Sequence, residues 1–263
     1  KSDLDQAPTP RPRARSGRPC HQAMILGPDD WHMVEHLREM PVALHCCSQA
    51  VADKLLEQLR YVTEEASIAS RPPQCFVLIH EQLRGNASAV VDLPSGSLFL
   101  RKLFYHFPQF DFMFQHVIDE LAGAPRLCEI CCDGEKRWLI MSFLDHKRSG
   151  TFFSTRVLQE RIVTWKNLER LITSKTGGLW ILRRVVEQRK DLHASVASWL
   201  AAFPSKYLSS MSVDVVAVML RESPEEGAVA SLAAAYFERP TMEAACFWSK
   251  LLCDRRFLAL LEA

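Results

Sequence analysis

Two tryptophans stand among arginines in the middle of this chain: Trp138 directly follows Arg137, and Trp180 closely precedes Arg183 and Arg184. Arg101 lies further upstream, and Lys102, Lys136 and Lys175 sit nearby in sequence. A guanidinium can grip phosphate through two parallel hydrogen bonds, and an indole stacks on any base, so these residue types suit sequence-tolerant RNA binding. They also have a plainer use. Basic side chains commonly solvate helix ends, and tryptophan at helical spacing commonly packs in a core.

Other reactive residues form weaker patterns. Cys128-x-x-Cys131, followed by Cys132, has one half of a zinc-site spacing, but no second Cys-x-x-Cys exists to complete four ligands, and His45, Cys46 and Cys47 stand far away in sequence. Buried thiols are the expectation, with no metal and no cofactor. His32 and His36 share a helix face without the Glu that places a general base beside zinc, and a solvated face is expected there. No G-x-S-x-G elbow occurs, and Lys175 precedes Gly177–Gly178 rather than following them as a phosphate loop requires. The glycine pair reads instead as a turn between helices, which only glycine allows cheaply. The chain is expected not to be an enzyme.

The elements that must carry these residues recur. Leu127–Asp145 (LCEICCDGEKRWLIMSFLD), Leu171–Glu187 (LITSKTGGLWILRRVVE) and Tyr207–Glu222 (YLSSMSVDVVAVMLRE) each read as a short apolar helix, a polar break and a longer helix closed by an acid. The closing acids Asp145, Glu187 and Glu222 fall at the spacing of stacked helical repeats, roughly 20–50 residues. Ser48–Glu57 shares the layout, and GSLFLRKLFYH after Leu93-Pro94-Ser95 is a further copy without the acid. Phe110, Phe114, Ile118 and Leu121 line one predicted helix face, and Asp29 and Asp30 stand where caps of the helix WHMVEHLREM belong.

Composition agrees with an all-α class. The 263 residues are 48% hydrophobic with only 10 glycines, and Leu, Ala, Glu, Arg and Val recur at helical rather than alternating spacing. Residues 1–19 differ: Pro8, Pro10, Pro12 and Pro19 lie among Arg11, Arg13, Arg15 and Arg18, which predicts a flexible basic tail or linker before a helical repeat domain over 20–263. The formal net charge of +1 excludes a strongly basic domain, so any nucleic-acid site must be a local patch. Nine cysteines, including the adjacent pairs Cys46–Cys47 and Cys131–Cys132, fit a reducing compartment better than a disulfide scaffold. No apolar run approaches the ~18–20 residues that span a bilayer. The expectation is an intracellular protein of nucleus, nucleolus or cytoplasm with no membrane partner; the first residue is not Met, so an upstream leader or domain stays open.

The long helix of each copy resembles the RNA-facing helix of a Pumilio-family (PUF) repeat, and LERLITSKTGG and LCEICCDGEK resemble the lead-in to it. The likeness is clearest over Ser95–Glu222. It implies a curved right-handed α-solenoid of imperfect three-helix repeats, related in shape to armadillo and HEAT arrays, in which the inner helix of each repeat reads one base. Carried over, the stacking position falls on Leu98, Trp138, Trp180 and Val215. The flanking edge-reading positions fall on Ser97 with Arg101, Arg137 with Met141, Leu179 with Arg183, and Asp214 with Val218. The family places Asn, Ser or Cys first and Gln or Glu last, and no copy here has that combination. The resemblance therefore implies a sequence-tolerant RNA-binding protein with a degraded code, acting in RNA metabolism or ribosome biogenesis. Ser97, Arg101, Arg137, Trp138, Trp180 and Arg183 would form the RNA surface. A single-stranded or structured RNA is the implied partner, together with protein subunits of a ribonucleoprotein complex, and the chain is expected to be monomeric outside that complex. The rival reading is an armadillo- or HEAT-like protein scaffold, favoured by the low net charge and the acidic stretch Glu222–Glu226. Phe143, Leu144, Val185, Val186 and Leu220 are the predicted inter-repeat core.

Overall fold

Proline and glycine punctuation divides the apolar periodicity into many helices rather than a few long ones. The first run is α1 (Asp30–Glu39), α2 (Val42–His45) and α3 (Gln49–Glu65), with Pro41 before α2. The second, entered through Pro72–Pro73, is α4 (Gln74–Leu83), α5 (Ala87–Val91) and α6 (Gly96–His106). The third is α7 (Gln115–Gly123), α8 (Leu127–Cys132) and α9 (Arg137–Asp145), with Pro125 in the turn before α8. A fourth, α10 (Phe152–Ile162), α11 (Trp165–Thr173) and α12 (Gly178–Gln188), is followed by α13 (His193–Ala202) and α14 (Ser210–Glu222). The computed structural model describes residues 30–65, 72–110, 115–145, 152–174, 177–202 and 210–223, with residues 227, 231 and 249. Among the described residues all regular structure is helical and no strand occurs. The predicted tail over 1–19, the start of the repeat domain at residue 20, Asp29, Phe114 and Lys175 lie outside them, as does nearly all of the chain after Ser223.

The third helix of each run touches its counterparts: α3 meets α6, α6 meets α9, α9 meets α12, and α12 meets α14. First helices also pair, α1 with α4 and α7 with α10. Between them, Phe76 of α4 packs edge-on against Phe107 with ring centroids 4.9 Å apart, and His80 of α4 meets His116 of α7 at 4.4 Å. Every predicted core residue is buried: Phe143, Leu144, Val185, Val186 and Leu220. α12 serves two apolar clusters at once. Ile181 and Val185 join the cluster built mainly from α1 to α10, whereas Leu182 and Val186 join the one shared with α13 and α14. Adjacent residues on a helix point about 100° apart, so one helix can wedge between two cores.

Side-chain amides stitch successive runs together. Gln82 of α4 accepts a hydrogen bond from the Val42 amide and donates to the Leu37 carbonyl, both at 2.9 Å, which satisfies backbone groups at the α1–α2 junction. Gln188 of α12 likewise donates to the Leu144 carbonyl at 2.7 Å. Buried His193 donates from Nε2 to the Val186 carbonyl at 2.8 Å, and its Nδ1 lies 3.0 Å from the Ser223 hydroxyl.

Several local expectations are corrected. Asp30 does not cap its own helix: its carboxylate accepts the amides of Gln74 and Cys75 at 2.6 and 2.8 Å and so caps α4. An anionic acceptor at a helix N-terminus satisfies orphan donors and complements the macrodipole, wherever in the sequence it originates. The predicted polar break within Tyr207–Glu222 is absent from Ser210 onward, where α14 runs unbroken through Ser212, because neither Gly nor Pro interrupts it. His36 does not simply face solvent. Its ring packs edge-on against His45 of α2, with the two Nε2 atoms 3.1 Å apart, and burial lowers the pKa of His45. Gly177 and Gly178 do not supply positive φ; the backbone of Gly177 is extended at −174°. Their value is space. A Cβ on Gly178 would lie 2.5 Å from the Leu171 carbonyl oxygen, and one on Gly177 would collide with the Arg137 side chain.

Candidate functional site

Third helices bury one side in the core and leave a stripe of residues one, four, five and eight positions apart outside it. On α6 this stripe is Ser97, Leu98, Arg101, Lys102 and Tyr105; on α9 it is Arg137, Trp138, Met141, Ser142 and Asp145; on α12 it is Trp180, Arg183, Arg184 and Glu187. Aromatic side chains are unusually open along it: Tyr105 is 66%, Trp138 48% and Trp180 51% exposed. Tyr61 on α3 is also exposed. Neither tryptophan therefore belongs to the core. Tyr61 and Tyr105 were not among the sequence candidates, although Tyr105 lies eight residues beyond Ser97 and hence on the same helix face.

Three candidates meet in one place. Ser97, Arg101 and Trp138 line a cleft of about 280 Å³ between the N-terminal ends of α6 and α9, with Leu98, Glu135 and Gln49. The short turn Asp133–Lys136 presents Glu135 there, held by the Asp133 carboxylate, which accepts the amides of Glu135 and Lys136 at 2.8 and 2.9 Å. Arg137 adjoins the cleft: its guanidinium carbon lies 5.0 Å from the centre of the Trp138 ring, a cation–π contact that braces the indole. Trp180 and Arg183 sit one helix further along and do not line this cleft.

The basic stripe is less free than its sequence suggests. Arg183 pairs with Glu187 at 2.9 Å, and Arg184 reaches both Asp145 on α9 at 2.5 Å and Glu187 at 3.0 Å. Lys102 pairs with Asp53 of α3 at 2.7 Å. Lys136 and Arg126 share Asp92 at 2.7 and 2.6 Å, and the Lys136 hydrogen bond in particular holds the Asp92 carboxyl below its usual range. The closing acid Asp145 thus ties α9 to α12 through Arg184, a role its spacing alone did not reveal, whereas Glu187 pairs within its own helix. Among the described residues Arg101 and Arg137 form no ion pair; Arg137 lies over the Trp138 ring, and its charge helps to lower the pKa of Asp133.

The row ends at α12. Val215, aligned with Trp138 and Trp180, is wholly buried, and Leu179 and Val218 are 3% and 4% exposed, so none of these can touch a base. The cause is the packing of α12 on α14, which turns these apolar positions into core.

Among the described residues no three His, Cys, Asp or Glu side chains are grouped to hold a metal ion. Cys46, Cys75, Cys128 and Cys131 are buried, and burial pushes the Cys46 thiol up to about 12. Cys132 at the end of α8 differs. Interaction with Cys128 lowers its pKa, aided by Ser174 and the charge of Arg170, while Cys128 itself is pushed up. Thiolate is the reactive form, so limiting iodoacetamide near neutral pH should alkylate Cys132 ahead of these four buried thiols. Peptide mapping reads the order directly, and faster labelling of Cys128 or Cys131 would overturn the assignment.

No family model, no curated protein and no solved structure matches this chain.

Proposed function

We propose that this chain binds RNA, single-stranded or locally unpaired, through the face formed by α6, α9 and α12. Its helices would form a Pumilio-like α-solenoid whose third helices line the inner surface. The observation that carries the reading is the exposed aromatic series Tyr105, Trp138 and Trp180 beside the unpaired guanidiniums of Arg101 and Arg137. A row of exposed aromatic rings on successive packed helices suits a binding face, and bases stack on such rings with little regard to sequence. The contact order of the third helices supports the stacked arrangement, since each unit would bury its apolar face on its neighbour. Ser97 supplies a hydroxyl at the cleft, and Arg183 lies at the far end of the face, restrained by Glu187. Ion pairing of Arg183, Arg184, Lys102 and Lys136 predicts a modest electrostatic component, in keeping with the net charge of +1.

A salt series on a random RNA pool tests the reading. Binding should fall with ionic strength by only a few phosphates' worth of counterion release. Trp180→Ala, with helicity checked by circular dichroism, should weaken it about 5–150-fold, the ~1–3 kcal/mol of one lost base stack. Failure to retain RNA at any salt would sink the proposal. It would leave the protein-scaffold reading, for which Phe152, Phe153 and Val157 on α10 offer an exposed apolar surface.

A further inference from the structure

The cleft between α6 and α9 brings together three kinds of group with different hydrogen-bonding capacities. Trp138 gives it an aromatic wall, Arg101 a side chain that can only donate hydrogen bonds, and Glu135 a carboxylate that can only accept them. No ion pair joins Arg101 to Glu135, and neither is paired elsewhere among the described residues, so each is unspent. Gln49 and Ser97 both donate and accept, and so discriminate little. At about 280 Å³ the cleft falls just below the roughly 300–1,000 Å³ range of small-molecule sites, a size that suits a single base rather than a larger ligand.

We infer that this cleft selects guanine within the bound RNA, with the base against Trp138, Arg101 directed to its O6 and N7 acceptors, and Glu135 to its N1–H and N2–H₂ donors. The inference rests on the RNA reading above and specifies the base taken at one site.

The choice follows from the edges of the four bases. A donor-only fork needs two neighbouring acceptors, and O6 with N7 of guanine is the arrangement arginine most often reads. A carboxylate needs neighbouring donors, and the N1–H and N2–H₂ groups of guanine match its two oxygens. Adenine presents a donor beside its N7 and no second donor on its pairing edge. Cytosine offers one exocyclic amine to Glu135, and uracil offers a single N–H between two carbonyls. A base without paired donors would also bring phosphate charge towards an uncompensated carboxylate. A site built around such groups therefore rejects the wrong base by leaving them unmatched. The acid that counts comes from the turn before α9, whereas the arginine comes from α6, so the selecting pair exists only where two helical units adjoin.

The test uses a short uridine-tract RNA carrying one central guanosine, adenosine, inosine or 7-deazaguanosine, titrated against the intact chain by fluorescence anisotropy. Guanosine should bind about tenfold or more tightly than adenosine, the discrimination expected of one good bidentate contact. Inosine, lacking the N2 amine, and 7-deazaguanosine, lacking N7, should each lose part of that advantage. Glu135→Gln should bring the guanosine-to-adenosine ratio and the inosine deficit towards one. If the RNAs bind but guanosine, adenosine and inosine bind equally, the guanine assignment is wrong and the RNA reading stands. If none of the RNAs binds, both fail.

Discussion

Phe143→Asp should give a chain with no cooperative thermal transition and largely lost helical circular dichroism. Phe143 is 1% exposed on α9, and its ring meets Phe104 of α6 edge-on with centroids 5.1 Å apart. Beside it, Leu100, Leu103, Phe104 and Val117 close the interior to a void of about 10 Å³. That space is at the limit for a single water molecule, and an apolar lining gives water no partners. Aspartate there would lose the aromatic packing, worth about 3–5 kcal/mol, and leave a carboxylate without water or counter-ion at a further several kcal/mol. The sum rivals the ~5–15 kcal/mol that holds a typical domain together. Phe143→Leu should fold and lose about 0.5–3 kcal/mol in chemical denaturation. An aspartate variant melting within a few degrees of the parent would show that α6 and α9 do not share this core.

The second large effect comes from a single methyl group. Gly96 opens α6 so close to α5 that a Cβ there would land on the Val90 carbonyl, and Gly178 opens α12 in the same relation to Leu171 of α11. The obstructing atoms are backbone, which no rotamer change can clear. Gly96→Ala should therefore cost at least the ~1–3 kcal/mol of an overpacked core and lower Tm by several degrees, and Gly178→Ala should behave alike. Gly123 at the end of α7 has open space around its Cβ position, so Gly123→Ala should be neutral or stabilise by up to about 1 kcal/mol. Equal melting temperatures for the Gly96 and Gly123 variants would contradict the close helix approach.

These glycines show what the sequence could convey. Gly177–Gly178 was legible as a junction between two helices, but the reason for glycine was not. Whether a missing side chain serves dihedral freedom or room for a neighbour depends on what stands opposite. The tryptophans show the same division. The sequence left both core packing and an exposed position open for Trp138 and Trp180, and exposure near one half for both rings takes them out of the core. Val215 shared their aligned position and proved buried, because α14 packs on α12 there.

By itself the sequence determined the helical class, the runs that became α4 and α6, and the burial of Phe143, Leu144, Val185, Val186 and Leu220. All of these follow from the local 3.6-residue period and its breakers, which a short window of residues contains. Only the tertiary structure decided that Asp30 caps α4, that Asp145 of α9 engages Arg184 of α12, and that Gln49 and Glu135 join Ser97, Arg101 and Trp138 at one cleft. Those pairings cross dozens of residues of chain and depend on the relative register of packed helices. That register is set by the fit of whole apolar faces, which no single helix encodes.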